Sequence, residues 1–358
     1  MKENHGGNVK NISRIYGISK EKIIDFSASI NPLGCPPGLR EAIIEDFDSV
    51  LHYPDCDSFD LVEGLSEYHD IGHECILAGN GSTEFIYWIP MIFRPRRALI
   101  VSPAFSEYER ALAVMGTDVS YFRADEKNSF SVDIDDLCKC VADDFDIIYF
   151  CNPANPTGVL TPREELRRVA QSAGETGALL VVDEAFIDFV EEESFKREIH
   201  RSSHVIILRS MTKFFAIPGL RLGYIMASPS VIAKIEEHRL PWTVNSLLQG
   251  AAVKTLFDTD YIRETRKYIM IEREYLKDAL NLIPGLRVFK SSANYLLVSI
   301  DGQMGLNAPE LRKRLIPEGI VIRDCSNFQD MGDLYFRVAV KTHEQNRVLV
   351  ESLRHNMR

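Results

Sequence analysis

Lys213 lies in the run Leu208-Arg209-Ser210-Met211-Thr212-Lys213-Phe214-Phe215-Ala216-Ile217-Pro218-Gly219-Leu220-Arg221. An ammonium among Met, Phe, Ala and Ile loses hydration, which lowers a lysine's pKa and releases its neutral amine. A neutral amine condenses with an aldehyde to form a Schiff base. Ser210 and Arg221 flank the lysine and are suited to a phosphate. An aldehyde that carries a phosphate is pyridoxal 5'-phosphate (PLP).

Other residues extend that chemistry. Asp183 closes the apolar run Ala178-Leu179-Leu180-Val181-Val182. A carboxylate at a buried strand end either caps the next helix or, with PLP, faces the pyridinium nitrogen and keeps the ring an electron sink. Asn152-Pro153-Ala154-Asn155-Pro156-Thr157-Gly158 is built of turn formers, with prolines fixing two φ angles. Within it, Asn155 is suited to donate its amide to the cofactor's phenolate oxygen. Gly79-Asn80-Gly81-Ser82-Thr83-Glu84 precedes a helical run at 85–91. It reads as a turn and cap, and a helix N-terminus also binds phosphate through its free N–H groups. It is not the dinucleotide-binding glycine fingerprint. Phe105, in Ser102-Pro103-Ala104-Phe105, is placed to stack on a planar ring or simply to join the core. Arg323 and Arg337 interrupt two apolar strand-like runs. Either each lies on the wet face of its strand, or the two bind an anionic substrate.

These side chains need a common frame. Apolar runs at 98–102, 146–151, 178–183, 205–208 and 223–227 read as strands, with helical patterns between them. One such helix spans 161–173, with Thr161 as its expected N-cap. The alternation predicts an α/β fold with a mostly parallel sheet covered by helices. Ligands bind such sheets beyond the carboxyl ends of the strands, and Ser102, Asn152, Asp183 and Ser210 all fall there. A charged amphipathic helix follows at 259–282, then strands at 287–289, 295–300, 320–323 and 334–340. They predict a smaller α+β domain. The division expected is a large domain at 46–245 and a small one made of 1–45 with 246–358.

Bulk properties exclude other classes. The formal charge of −11 disfavours nucleic-acid binding, which needs a basic face. No long uncharged apolar run suggests a membrane span. Residues 1–5 lack the apolar core of a signal peptide, so a cytoplasmic location is expected. Seven cysteines without a secretion signal suggest free thiols. His69, His73 and Cys75 are close enough to suggest a metal cluster, but scattered surface residues are the plainer reading, and no metal is expected.

Taken in order, the segments GNGSTE, SPAF, NPANPTG, DEAF, SMTK and RLGY resemble fold type I PLP enzymes of the class I/II aminotransferase superfamily over nearly the whole chain. The nearest likenesses are histidinol-phosphate aminotransferases and the L-threonine-O-3-phosphate decarboxylases of cobalamin biosynthesis. The resemblance implies a seven-stranded sheet between helices in the large domain. It implies Lys213 as the cofactor-binding lysine, Asp183 on the pyridine nitrogen and Asn155 on O3'. Ser82, Thr83, Ser210 and Arg221 would hold the cofactor phosphate, and Phe105, or failing that Tyr108, would stack on the ring. Tyr53 would reach the cofactor phosphate of a neighbouring subunit, which implies a homodimer. Arg337 would clamp the substrate α-carboxylate.

One departure stands out. The superfamily commonly has a tyrosine three residues after the aspartate, and this chain has Phe186. Asn155 would then hold O3' alone. Three short segments resemble the decarboxylase branch: His5-Gly6-Gly7-Asn8, the stretch Asp25-Phe26-Ser27-Ala28-Ser29-Ile30-Asn31, and Arg323-Asp324-Cys325-Ser326-Asn327-Phe328. They imply that His5, Asn31, Asn155, Arg323 and Arg337 bind a small phosphorylated amino acid. The expected reaction is decarboxylation of L-threonine O-3-phosphate to (R)-1-amino-2-propanol O-phosphate. Histidinol-phosphate aminotransferase and phosphoserine decarboxylase are the alternatives.

Overall fold

The computed structural model describes residues 5–357. Residues 1–4, part of the stretch read above for a signal peptide, lie outside the described residues. Its strands, in chain order, are β1 (Ile24–Asp25), β2 (Ile76–Gly79), β3 (Arg97–Ser102), β4 (Asp118–Arg123), β5 (Ile147–Cys151), β6 (Leu179–Asp183), β7 (Val205–Ser210), β8 (Gly223–Ala227), β9 (Leu286–Val288), β10 (Tyr295–Ile300), β11 (Ile320–Val321), β12 (Arg323–Asp324) and β13 (Tyr335–Ala339). Seven form one sheet in the order β2-β8-β7-β6-β5-β3-β4. Pairing is parallel from β7 through to β4, while β8 runs antiparallel to both its neighbours.

A sheet covered on both faces needs apolar residues at successive positions, and β5, β6 and β7 supply them. Ile148, Phe150, Leu180, Val182 and Ile207 enter the core on one face. Ile147, Tyr149, Leu179, Val181 and Ile206 enter the core on the other. The strands expected at 98–102, 146–151, 178–183, 205–208 and 223–227 all form. β2 and β4 are the additions. β2 is only four residues long, and β4 mixes polar with apolar residues at a half-buried edge.

The second sheet is antiparallel, in the order β12-β13-β10-β9, and β1 pairs in parallel with β11. The helix Thr259–Asn281 joins the two bodies. At 1.5 Å per residue it spans roughly 35 Å. Its Tyr261, Ile262 and Ile269 lie in the large core, and its Leu276 and Leu280 in the small one. The helix Ser246–Leu256 sits on the large side of this strut, with Leu248, Ala251 and Ala252 in the large core. The segment up to residue 45 divides as well: Phe26 enters the small core and Leu39 and Ala42 the large one.

The expected cap at Thr161 does not form. The helix begins at Arg163, whose N–H donates to Glu193 at 2.9 Å. Thr161 is instead bracketed by Asn152: its N–H donates to Asn152 Oδ1 at 2.8 Å, and Asn152 Nδ2 donates to its carbonyl at 2.9 Å. That bracket closes the loop that carries Asn155. His69 and Cys75 are buried rather than at the surface, and His69 Nε2 lies 2.6 Å from the Tyr224 hydroxyl. Among the described residues, no group of three or more His, Cys, Asp or Glu is arranged to hold a metal, and no helix is long and apolar enough to cross a membrane. All seven cysteines are free thiols.

Candidate active site

β7, β6, β5 and β3 are consecutive in the sheet and end on the same side. Their last residues are Ser210, Asp183, Cys151 and Ser102. One pocket opens there, lined by Lys213, Asp183, Ser82, Thr83, Phe105, Asn155 and Ser210 from the large body, Arg323 and Arg337 from the small one, and His5 from the N-terminal segment. Three predicted residues lie outside this lining. Asn31 is buried, and its Nδ2 donates to the Phe214 carbonyl at 2.9 Å and lies 2.8 Å from the Tyr261 hydroxyl. It braces the Lys213 segment from behind instead of facing a substrate. Arg221 is exposed, yet its guanidinium lies against Gly81, where a Cβ would stand 2.6 Å from Nη2. Tyr53 is 80% exposed and stacks on Trp242, with ring centroids 4.6 Å apart.

Lys213 follows β7 on the short helix Met211–Phe214. Burial lowers its pKa to about 8, helped by the positive charges of Arg221 and Arg337, while Asp183 opposes them. It lines the pocket, and no hydrogen bond or ion pair engages its Nζ among the described residues. Asp183 is buried, which raises its pKa. It is held by the Tyr108 hydroxyl at 2.5 Å and by the Ala185 N–H at 2.9 Å. Tyr108 is fully buried, and burial beside Asp183 pushes its pKa well up, so it remains a donor. Its ring stacks on Tyr149, with centroids 5.0 Å apart.

Arg337 orders the opposite wall. Its Nη2 donates to the Ser27 carbonyl at 3.0 Å, and its Nη1 donates to Asn155 Oδ1. With Oδ1 taken, the Asn155 amide presents its N–H groups as donors. Arg337 Nε and Ser29 Oγ are buried without a hydrogen-bond partner among the described residues. Uncompensated buried polar atoms are costly, so these atoms fit a pocket made for a polar ligand. Phe186 lines the same pocket and meets Tyr295 edge-on at 4.9 Å.

The donor set fits PLP. Ser82 and Thr83 open the helix Ser82–Phe93, whose first N–H groups form an anion seat beside Arg221 and Ser210. The turn before it is tight: a Cβ at Gly223 would stand 2.2 Å from the Ser82 nitrogen. Asp183, Lys213 and Asn155 then offer a counter-charge, an amine and an amide donor.

The profile of the aminotransferase class I and II family matches residues 21–353. The chain belongs to that family. Its fold is the family's, and PLP is the family's cofactor, so the chain is a PLP-dependent enzyme. The threonine-phosphate decarboxylase of Salmonella typhimurium is 37% identical over 98% of this chain and 95% of its own length. The crystal structure of the histidinol-phosphate aminotransferase from Clostridium acetobutylicum superposes with a TM-score of 0.86 at 34% identity, covering 93% of this chain and 98% of that one. The L-threonine-O-3-phosphate decarboxylase from Porphyromonas gingivalis does so with a TM-score of 0.82 at 27% identity, over 92% and 98%.

Some pocket residues had not been singled out in the sequence. Ser27, Cys151, Thr212, Asn327 and Phe328 also line it. Asn327 and Phe328 follow Arg323 within five residues, and that adjacency was the available signal. Ser27 lies in the segment 25–31, and it acts through both its side chain, which accepts from the Gly7 N–H, and its carbonyl, which accepts from Arg337.

Proposed function

We propose that the chain removes CO₂ from L-threonine O-3-phosphate, giving (R)-1-amino-2-propanol O-phosphate for cobalamin biosynthesis, as a cytoplasmic homodimer. The observation that carries this reading is the pair of buried arginines, Arg323 and Arg337, in the pocket of Lys213. A substrate with a phosphate at one end and a carboxylate at the other matches two guanidinium forks. The likeness to the Salmonella decarboxylase supports the same choice.

Bound here, PLP supplies an aldehyde for the substrate amine and a ring that draws electrons from the bond to be broken. Ser82, Thr83, Ser210 and Arg221 would hold its phosphate, Asp183 its ring nitrogen and Asn155 its phenolic oxygen. Phe105, at the pocket wall, would stack on its ring. Arg337 holds the substrate carboxylate, while His5 and Arg323 hold the phosphate. Anchored at both ends, the substrate cannot rotate about its Cα, so the carboxylate bond stays the one exposed to cleavage. A displacement of about 1 Å in such a clamp costs ~100-fold in rate. Lys213, its pKa lowered to about 8, is the acid suited to return a proton from Nζ to the carbon that has lost CO₂.

The test is CO₂ release from phosphothreonine by the PLP-loaded protein without any 2-oxo acid. Release without an acceptor is expected. Turnover of histidinol phosphate that requires 2-oxoglutarate would replace this reading with the aminotransferase one, which the likeness to the Clostridium enzyme favours. Phosphoserine in the same assay measures how far the extra methyl is selected, an effect worth about 1–3 kcal/mol in a pocket.

A further inference from the structure

His5 and Gly6 are exposed residues that line the pocket, and their segment is fastened at two points. At one, His5 Nε2 lies 2.9 Å from Glu107 Oε1, and the imidazole tilts against Phe105 with centroids 5.6 Å apart. At the other, the Gly7 N–H donates to Ser27 Oγ at 2.9 Å. Between them, Gly6 lies so close to the chain beneath that a Cβ would stand 2.2 Å from the Ser27 carbonyl oxygen. That oxygen is the one that accepts from Arg337.

Glu107 is the unusual member of this arrangement. It belongs to the helix Ser106–Val114 of the large body, and it is only 7% exposed. A buried carboxylate is costly unless it is bonded. Two donors of its own body hold it: the Tyr87 hydroxyl at 2.6 Å and Arg110 Nη1 at 2.7 Å. These keep the carboxylate oriented whether or not His5 is present. Glu107 is therefore a preset acceptor, and His5 is the partner that arrives from another part of the fold.

We propose that Glu107 is a positioning residue, which anchors His5 and so holds residues 5–7 across the pocket over the phosphate end of the substrate. Held through Nε2, the imidazole leaves its Nδ1 edge free to face the substrate. The N-terminal segment is joined at the same time to Arg337 through Ser27, so enclosure of the phosphate and seating of the carboxylate share one support. The inference rests on the phosphate-monoester substrate proposed above.

Glu107→Gln keeps the size of the side chain and removes its charge. In the PLP-loaded variant, KM for phosphothreonine should rise about tenfold with kcat within about threefold, the size of one lost charged hydrogen bond. Amide exchange of the N-terminal peptide, followed by mass spectrometry, should quicken by about tenfold. His5→Ala should raise KM by a similar factor, and the double variant should add nothing further, because the two residues act as one unit. The visible band of bound PLP should be unchanged in all three. Wild-type exchange and KM in Glu107→Gln, or fully additive effects in the double variant, would overturn the proposal. Calorimetric binding of phosphothreonine separates the two readings. Binding and exchange that respond to Glu107 in a protein that does not turn phosphothreonine over count against the substrate assignment alone. Turnover with no response of exchange counts against this anchor alone.

Discussion

Arg323 and Arg337 face each other directly across the β12–β13 pair. Both are buried, and both reach the same pocket. Like charges at directly opposite positions destabilise a strand pair. Burial, with the nearby Arg337 charge adding to it, brings the Arg323 pKa down to about 10. Asn327 Oδ1 accepts from its Nη2 at 2.7 Å, and the Phe328 ring lies 5.0 Å from its guanidinium carbon. The fold thus brings two buried guanidinium groups to one pocket, an arrangement suited to an anionic ligand.

Arg323→Met should therefore weaken the affinity for substrate. KM for phosphothreonine should rise by about 10- to 100-fold. Added inorganic phosphate should raise the midpoint of the wild type more than that of the variant, because only the wild type keeps both anion donors. A variant whose midpoint rises with phosphate as much as the wild type's would contradict this account.

The Lys213 amine sets a pH dependence for cofactor loading. Its folded pKa of about 8 lies below the ordinary lysine value of 10.5. The neutral, reactive form therefore grows as pH rises toward 8 and is dominant above it. The rate at which apo-protein gains the PLP visible band should climb about tenfold per pH unit below this point and level off above it. The linkage has a definite sign. The unfolded chain binds more protons between pH 8 and 10.5, so this group adds stability as pH rises through that window. Arg337→Met removes one of the nearby cations and should shift the loading midpoint upward.

Much of this site was legible because its chemistry follows strand ends. Asp183, Asn155 and Ser210 each follow an apolar run long enough to identify as a strand, and a parallel sheet brings such ends together. Arg323 and Arg337 stood out as charges inside apolar runs. The loss of Asn31 from the pocket was not legible, because its four partners come from residues up to 234 positions away. Thr161 has the right type and place for a cap, but Asn152, nine residues earlier, captures its N–H. The role of Glu107 was hidden for the same reason. Helical spacing places Arg110 beside it, but Tyr87 and His5 reach it only through tertiary packing.

Beside the pocket, Arg209 is fully buried and faces Glu184 at 3.2 Å, Asp188 at 2.8 Å and Glu191 at 2.6 Å. Burial raises the Glu184 pKa to about 7, with Arg209 pulling against it. Arg209→Leu leaves these carboxylates uncompensated and should cost about 3–5 kcal/mol of stability. The loss should grow with pH. With a folded pKa above its ordinary 4.5, Glu184 contributes most when protonated and loses that contribution as pH rises through about 7. Without Arg209 its pKa rises further, so urea denaturation should show a larger deficit at pH 8 than at pH 5.

Tyr53 gives the sharpest test of the proposed dimer. It is outside its own chain's pocket and exposed, stacked on Trp242. A side chain that serves a site in a second copy must lie at the surface of its own. If it completes the partner's phosphate seat, Lys213→Ala and Tyr53→Ala should each be inactive alone but complement each other when mixed. A hybrid dimer then contains one site with Lys213 from one subunit and Tyr53 from the other, both native, and one site lacking both. Random exchange at equal amounts makes half the dimers hybrid, so activity should recover to about a quarter of the wild-type level. Variants that stay inactive after proven subunit exchange would show that Tyr53 acts within its own chain, and a Tyr53→Ala protein that is active alone would show that it has no part in the site.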